Sequence, residues 1–353
     1  MKRLAALLIP VAVTAATLAY SLWGVDLGEL WRTLAGGRLW VVAPFLVLLA
    51  LFFLSNAHRW QMMMRSFGRF SVAQLGAPMM IGFAANNLLP LRVGEIIRAY
   101  LVAKDLRLPK SGVLMNLALE RLLDLIGILV IYLTALALVA DAPAGFRASA
   151  WIASAAVVGL GAILAAFVLM PKTIKRLWNR AASQLPEPIR ERGASYLEEF
   201  ERGLSPMREP AAATWLLLYS IGRWLLAVGL AWLCIYAYTG PVPISVAMIT
   251  LGITAFAVAL PSAPGFVGPM QAAFVFALTP FGIDREAALA ASLLFLLGHW
   301  VPVTAVGAAL LTARHLSLED LARSAKAQEP EPRPGALADM TAAAHPASGG
   351  DEA

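Results

Sequence analysis

Apolar runs long enough to cross a lipid bilayer recur along this chain, and they constrain its fold more than any other feature. A helix that rises 1.5 Å per residue needs about 20 apolar residues to cross the hydrocarbon core. Six runs approach or exceed this length: 4–22, 39–56, 113–140, 151–170, 214–238 and 287–312. With 59% hydrophobic and only 14% charged residues, the chain has more apolar surface than a soluble core could bury. The sequence therefore predicts an all-α integral membrane protein with about six full transmembrane helices.

Two further apolar stretches are interrupted partway, and each predicts a re-entrant helical hairpin. The stretch 71–89 stops at Pro90, and the apolar piece that follows, 93–103, is too short to span. The stretch 244–260 runs into a turn rich in Pro and Gly before another short piece, 270–281. Each pair is interpreted as two half-helices that enter and leave on one face of the membrane.

The two ends of the chain need separate interpretation. The run 4–22 has the length of a retained span, whereas Ala19-Tyr20-Ser21 resembles the cleavage site of a signal peptide. The length favours the retained span. From Glu329 onward the sequence is rich in Pro, Ala and Gly, a composition typical of disorder. We predict one membrane domain over 1–315 and a mostly disordered cytoplasmic tail over 316–353.

The distribution of Lys and Arg predicts the orientation. Most of them lie at the termini and in the polar stretches 57–70, 104–110 and 171–212, and the last of these contains an amphipathic helix over 189–204. The opposite loops hold four arginines: Arg32, Arg38, Arg147 and Arg285. By the positive-inside rule, both termini are predicted to be cytoplasmic. The first hairpin then enters from the cytoplasm and the second from outside, so the two halves form an inverted repeat like those of many transporters.

Ionisable side chains inside these apolar segments are the candidate functional residues. Each costs on the order of 2.5–3.5 kcal/mol in the bilayer, so such residues are retained mainly where they act. Three of them, at a spacing of three, begin the second half-helix of the first hairpin: Arg92, Glu95 and Arg98. Three more lie on the next span, namely Glu120, Arg121 and Asp124. Asn116, Glu120 and Asp124 follow one another at a spacing of four and form one polar stripe. They predict a polar site within the membrane.

The balance of charge in this site predicts an anionic ligand. Together with Arg223, the site holds four arginines and three carboxylates, so one arginine lacks a partner. A phosphate or other anionic lipid headgroup would supply it in the bidentate geometry that Arg prefers. The N-terminus of the half-helix, the Asn87 amide and close backbone approach at Gly94 would add donors. Two alternatives stay open, namely that the charges only hold the protein together, or that Arg223 snorkels to the cytoplasmic edge.

The second hairpin and the last span hold the remaining candidates. Pro264, Gly265 and Gly268 predict a non-helical tip, and Gln271 stands just past it. Unwound backbone at membrane depth is tolerated only where protein or water covers it, so this tip is expected to face the first one. His299 is a lone ionisable residue in the last span, either a hydrogen-bonded packing residue or a proton relay.

Several function classes are excluded by what the sequence lacks. It has no metal-ligand spacing, no nucleotide-binding fingerprint and no nucleophile motif, so neither a cofactor nor a metal is expected. The net charge of +6 is spread over loops, which favours a membrane surface over nucleic acid. Cys234 is the single cysteine, so no intramolecular disulfide forms.

Three motifs occur in order along the chain. The first is N-x-L-P-x-R-x-G-E with an arginine three residues later, the second is E-R-x-x-D, and the third is P-x-x-P-G-x-x-G. Their fixed positions are Asn87, Pro90, Arg92, Gly94, Glu95, Arg98, Glu120, Arg121, Asp124, Pro261, Pro264, Gly265 and Gly268. In these motifs the chain resembles the lysylphosphatidylglycerol synthase transmembrane domain family, also called the flippase-like domain family, over nearly all of its length to about residue 315.

The resemblance implies an inner-membrane protein that moves or handles lipids. In multidomain members, this domain translocates aminoacylated phosphatidylglycerol made by an attached transferase, and other members accompany isoprenoid-lipid, hopanoid or glycolipid pathways. No such transferase is recognised in this chain, so lysyl transfer is not expected of it. Gln271 stands where many relatives carry Glu, and His299 where many carry Arg.

These observations together predict a lipid translocase that needs no ATP, with an anionic lipid as its partner and no enzymatic activity. Two other classes remain open. One is a membrane-embedded transferase or phosphatase with Glu120 or Asp124 as base. The other is a non-catalytic partner that docks a lipid-modifying or glycosyl transferase through the surface helix over 189–204.

Overall fold

The computed structural model describes residues 2–89, 92–139 and 143–326, and within these ranges it consists of helices, turns and irregular segments with no β-strand. The α-helices in chain order are α1 (Lys2–Leu22), α2 (Leu27–Ala35), α3 (Val42–Met63), α4 (Val72–Leu88), α5 (Val93–Asp105), α6 (Lys110–Leu138), α7 (Ala144–Leu169), α8 (Pro171–Ala181), α9 (Glu187–Gly203), α10 (Pro210–Thr239), α11 (Ile244–Ala257), α12 (Pro269–Leu278), α13 (Arg285–Ala313) and α14 (Leu318–Lys326). The predicted all-α class is confirmed.

Among the described residues, five helical segments are long and apolar enough to cross a membrane: Leu39–Ser66, Lys110–Leu138, Gly145–Leu169, Pro210–Thr239 and Arg285–Ala313. A sixth is counted if α1 and α2 are taken together, although they meet at an angle of 83°. The bend arises because Asp26 starts a new helix, where its carboxylate accepts hydrogen bonds from the backbone N–H groups of Gly28 and Glu29 at 2.7 and 3.0 Å. These counts agree with the predicted six spans.

The first predicted hairpin corresponds to α4 and α5, which pack closely against each other. Two glycines permit this, since a Cβ built on Gly94 would lie 2.0 Å from the carbonyl oxygen of Gly82 and 2.6 Å from Oδ1 of Asn86. Gly94 was predicted to let the backbone approach a ligand, but the structure places α4 there instead. The two half-helices are thus held at backbone contact distance.

The second predicted hairpin corresponds to α11 and α12, joined by a stretch from 258 to 268 without α-helix, which contains one short 3-10 turn, Pro264–Phe266. Gly265 and Gly268 adopt φ angles of +76° and +96°, which side-chain-bearing residues rarely do. This tip rests on α1, where the N–H of Ala263 donates to Oγ1 of Thr14 at 2.9 Å. The prediction of a non-helical tip formed by Pro and Gly agrees with this geometry.

Contacts at the helix ends bear on the predicted course of the hairpins. Where α5 ends, Asp105 pairs with Arg314 near the end of α13 at 2.6 Å. Near the start of α11, the carbonyl of Val242 accepts from the indole of Trp232 in the last third of α10 at 2.9 Å. The two tips meet between these ends, where the guanidinium of Arg92 donates to the carbonyl of Val258. This arrangement is consistent with hairpins that enter from opposite faces and with an inverted repeat.

The last long span, α13, contacts both hairpins, because it packs against α4 and α12. It contains Pro302, flanked by two residues that reach the tip of the first hairpin. The indole of Trp300 donates to the Asn87 carbonyl at 3.4 Å, and Oγ1 of Thr304 accepts from Nδ2 of Asn87 at 3.0 Å.

The polar connection differs from its prediction in one respect. The amphipathic helix predicted over 189–204 corresponds to α9, but a second helix, α8, precedes it. The two pack tightly, since a Cβ on Gly193 would overlap the ring of Trp178 at 1.9 Å. A short helix, α14, also lies within the predicted tail and begins where Oγ of Ser317 accepts from the N–H of Asp320 at 3.1 Å. Residues 327–353 lie outside the described ranges.

Cysteine accessibility should test the course of the hairpins. In a Cys234→Ala background, we expect Ala73→Cys and Lys104→Cys to react from the predicted cytoplasmic side, and Ile244→Cys and Asp284→Cys from the other side. The reason is that both ends of one re-entrant hairpin must reach the same aqueous phase. Labelling with an impermeant maleimide in vesicles of both orientations measures this. Reaction of Ala73→Cys and Lys104→Cys from opposite faces would show that the first hairpin crosses the membrane.

A glycine substitution should test the close packing of the first hairpin. Gly94→Ala places a methyl group into the Gly82 carbonyl, so we expect destabilisation at or above the ~1–3 kcal/mol typical of overpacking. Gly159→Ala on α7 is the control, because a Cβ there meets nothing within 4 Å. Thermal unfolding in detergent compares the two variants. Equal melting temperatures would contradict the packing described.

Candidate functional site

The candidate site is built around a carboxylate in the middle of α6. Asp124 lies 14 residues from each end of this helix, or about 21 Å along its axis. Oδ1 of Asp124 accepts from Nη1 of Arg59 at 2.7 Å and also pairs with the guanidinium of Arg223. All three side chains are buried. One carboxylate thus joins α3, α6 and α10 through two arginines.

A second carboxylate lies one turn earlier on α6. Glu120 is fully buried and accepts two hydrogen bonds from Arg98, at 3.1 and 2.8 Å, in the bidentate geometry that favours Arg. It also accepts from Nη2 of Arg121 at 2.9 Å and lies 3.7 Å from Nη2 of Arg59. Glu120 therefore ties α5 to α6 and joins the two carboxylates into one charge cluster.

The sequence analysis places Arg59 in the polar stretch 57–70 after the second span, and for Arg59 this prediction is wrong. The residue lies inside α3 and is fully buried, where it also donates to Oγ of Ser220 at 2.9 Å and Oδ1 of Asn56 at 3.3 Å. The helical segment continues to Ser66, so a residue predicted to follow the span lies within it. The spacing of three between Asn56 and Arg59 is the signal that could have revealed a polar helix face.

This correction changes the charge count. With Arg59 included, four arginines of the described residues form ion pairs with three carboxylates: Arg59, Arg98, Arg121 and Arg223 with Glu95, Glu120 and Asp124. Arg92, at the start of α5, is counted with them as the fifth arginine. The excess is two positive charges rather than the predicted one. Arg223 is buried beside Asp124, so the alternative in which it snorkels to the membrane edge does not describe this structure.

Aromatic and amide side chains hold the buried arginines in place. The guanidinium of Arg98 lies 3.6 Å from the centre of the Trp60 ring, a cation–π contact. The indole N–H of Trp60 in turn donates to Oδ1 of Asn116 at 2.9 Å, and the amide of Asn116 donates to the Met63 carbonyl at 3.0 Å. Asn116 was predicted to contact a ligand, but in the structure it orients Trp60 beneath Arg98.

One edge of the cluster is accessible. The side chains of Arg121 and Glu95 are 38% and 30% exposed. Nε of Arg121 lies 3.8 Å from Oε1 of Glu95, so the two form an ion pair but not a hydrogen bond. Arg92 is exposed, adopts a φ of +53° and precedes α5 without a side-chain cap on that helix. The cluster therefore has an interior in which charges are paired at hydrogen-bond distance and a rim that includes Arg92, Glu95 and Arg121.

A cavity of about 280 Å³ lies between the two hairpin tips. Arg92 and Asn86 line it from the first hairpin, residues 259–266 line it from the second, and Pro10 of α1 closes one side. Oδ1 of Asn86 is buried and has no hydrogen-bond partner in the described part of the chain. The same atom faces Gly94, where a Cβ would lie 2.6 Å from it, so it is packed between α4 and α5 rather than open to the cavity. The cavity and the rim meet at Arg92.

The other predicted site residues are placed as follows. Pro264 and Gly265 line the cavity. Gly268 contacts α1 and donates its N–H to Oε1 of Gln271 at 2.7 Å, so Gln271 caps its own helix. Asn87 bonds to Thr304 of α13.

His299 is held apart from the charge cluster by aromatic packing. Its Nδ1 lies 3.0 Å from the Phe295 carbonyl, and its ring packs among Phe45, Phe52 and Phe295. Phe52 separates it from Arg223, whose guanidinium lies 4.8 Å from the centre of that ring. The geometry favours the packing role over the proton relay.

No group of three or more His, Cys, Asp or Glu side chains that could hold a metal ion occurs among the described residues. In the cluster, guanidinium groups outnumber carboxylates by five to three. The class that the fold and this cluster define is an all-α, multi-pass membrane domain with a buried set of ion pairs.

The chain belongs to the family described as the lysylphosphatidylglycerol synthase TM region, which matches residues 7–307. The match runs from α1 into α13 and includes every residue of the charge cluster and the cavity. The resemblance found in the three motifs is therefore confirmed. Neither the curated proteins nor the solved structures contain a significant match to the chain.

Removal of one buried carboxylate should strongly destabilise the protein. Asp124→Asn leaves Arg59 and Arg223 without their shared counter-charge, and breaking a buried pair in this way costs about 3–5 kcal/mol. The control is Glu319→Gln on α14, whose pair with Arg323 is exposed and worth about 0.3–0.5 kcal/mol. Thermal unfolding in detergent measures both. An Asp124→Asn variant as stable as the control would contradict the ion-pair geometry.

Proposed function

We propose that the protein is a lipid translocase of the cell inner membrane that needs no ATP and handles an anionic or phosphate-bearing headgroup. The observation that carries this proposal is the excess of two guanidinium groups in the charge cluster, with Arg92 and Arg121 on its accessible rim. In the membrane, an uncompensated charge is costly, so a cluster with this imbalance favours an anion that completes it.

The rim supplies the groups that would bind a phosphate. Arg121 makes its short hydrogen bond to Glu120, while its contacts with Glu95 and Asp124 are long, at 3.8 and 3.7 Å. An incoming phosphate can displace Glu95 from Arg121 without breaking a short ion pair. Arg92 stands at the N-terminus of α5, where free backbone N–H groups and the helix dipole also favour an anion.

The interior of the cluster would position this rim rather than bind lipid itself. Arg59, Arg98 and Arg223 are buried and bonded to Glu120 or Asp124, so they fix α3, α5 and α10 on α6. A rigid interior holds Arg121 and the start of α5 in fixed positions relative to each other. Supporting a binding site in this way is the role that we expect of paired charges that do not reach the cavity.

The position of the cavity supports this proposal. In transporters with inverted repeats, broken segments meet near the centre of the membrane and form the binding site there. Here the tips of two broken segments enclose the cavity, with α1 at its side. The headgroup would occupy the cavity and the rim while the acyl chains stay in the surrounding bilayer. The predicted cytoplasmic position of both termini belongs to the same proposal.

A transport assay should test the role of the rim. In proteoliposomes, we expect the protein to move acyl-labelled fluorescent phosphatidylglycerol between leaflets faster than phosphatidylcholine. Arg92→Gln should lower the phosphatidylglycerol rate about 10- to 100-fold, since a hydrogen bond to a charged group contributes roughly 1.5–3 kcal/mol. The control is Arg32→Gln, an exposed arginine of α2 outside the cluster. Dithionite quenching of the outer leaflet measures the rates.

The outcomes separate the proposed function from its alternatives. Equal rates for empty and protein-containing vesicles, or a folded Arg92→Gln variant at the wild-type rate, would count against a translocase. Product formed from a lipid phosphate by purified protein in detergent would instead indicate a membrane-embedded transferase or phosphatase. Co-purification of a stoichiometric transferase, with no transport by the protein alone, would indicate a docking partner.

A further inference from the structure

A second cavity lies away from the charge cluster, where α3 ends and α4 begins. Its volume is about 510 Å³, and it is lined by Gln61, Arg65, Arg69 and Phe70. The span Leu39–Ser66 ends here, so the cavity stands at the level of lipid headgroups on the side that the charge distribution predicts to be cytoplasmic.

The turn that forms this cavity is fixed by contacts that do not involve its arginines. Nε2 of Gln61 donates to the Phe70 carbonyl at 2.7 Å, which closes the turn onto α3. Phe67 packs against Gly112 of α6 so closely that a Cβ there would lie 2.8 Å from the ring. Ser71 and Gln74 cap the start of α4 with two reciprocal hydrogen bonds at 2.8 and 3.1 Å. The cavity is thus preformed, and the turn does not use the two guanidinium groups.

The charge of the cavity is not neutralised from within. Arg65 and Arg69 are both exposed, and the described residues form no ion pair with either of them. No acidic residue lines the cavity. Two guanidinium groups beside a cavity of this size offer the forked donors that suit a phosphate group.

We propose that this cavity is a second anion site, separate from the translocation site, that binds the phosphate of an anionic phospholipid in the adjoining leaflet. A lipid phosphate is favoured over a soluble one because the cavity lies at the end of a membrane span. Arginines near the membrane surface are attracted to anionic lipids. The bound lipid would hold Arg65, just after the end of α3 and six residues beyond Arg59 of the charge cluster. Its binding would stabilise the folded protein by mass action.

The test compares two double variants of the full-length protein. Purified protein is titrated with phosphatidylglycerol or phosphatidylcholine in mixed micelles, and retained lipids are counted by native mass spectrometry while the melting temperature is followed. We expect Arg65→Gln/Arg69→Gln to retain one phosphatidylglycerol fewer than the wild type and to need about tenfold or more lipid for the same thermal shift. The control is Arg176→Gln/Arg180→Gln, which removes the same charge from exposed positions on α8.

Each outcome decides the proposal. An equal loss in both double variants would show diffuse surface charge rather than a site, and no loss in Arg65→Gln/Arg69→Gln would overturn the proposal. Inorganic phosphate alone is the second arm, and a thermal shift equal to that of phosphatidylglycerol would assign the cavity to soluble phosphate instead of lipid. This test is independent of the proposed translocation, because we expect Arg65→Gln/Arg69→Gln to transport lipid at the wild-type rate.

Discussion

The structure depends on the pairing of two buried carboxylates with arginines from neighbouring helices. Glu120 and Asp124 occupy one face of α6, and their partners come from α3, α5 and α10. An unpaired charge in such a place costs several kcal/mol, whereas lipid-facing apolar side chains gain little from meeting one another in a bilayer. The ion pairs therefore determine which helices are neighbours and in which register, a specificity that apolar contacts between helices do not provide.

The same pairing links the scaffold to the proposed site. Arg98 bonds to Glu120 from within α5, and α5 is held against α4 by the close approach at Gly82 and Gly94. Arg92 at the start of α5 is thereby carried to the tip of the second hairpin, where it reaches the Val258 carbonyl. A short half-helix thus connects the interior of the cluster with the cavity between the tips.

Much of the fold and part of the site follow from sequence because the physical signals are local. Apolar length predicts the spans, Pro and Gly predict the broken segments, and the spacing of Glu120 and Asp124 predicts one polar face on α6. Arg59 was missed because a basic residue at the end of an apolar run fits equally well inside a helix and in the loop after it. The predicted approach of a ligand to Gly94 was replaced in the structure by helix packing, because a sequence does not show which helix packs against a glycine.

Pro302 has a mechanical consequence for the last long helix. A proline inside a helix has no N–H to donate to the carbonyl four residues earlier, here that of Gly298, so α13 lacks one rung of its hydrogen-bond ladder. Trp300 and Thr304, two residues before and two residues after Pro302, form the hydrogen bonds to Asn87. We therefore expect α13 to bend most easily near Pro302, next to its contacts with the first hairpin tip. If that tip tilts, α13 can bend with it, and the hydrogen bonds to Asn87 can be kept.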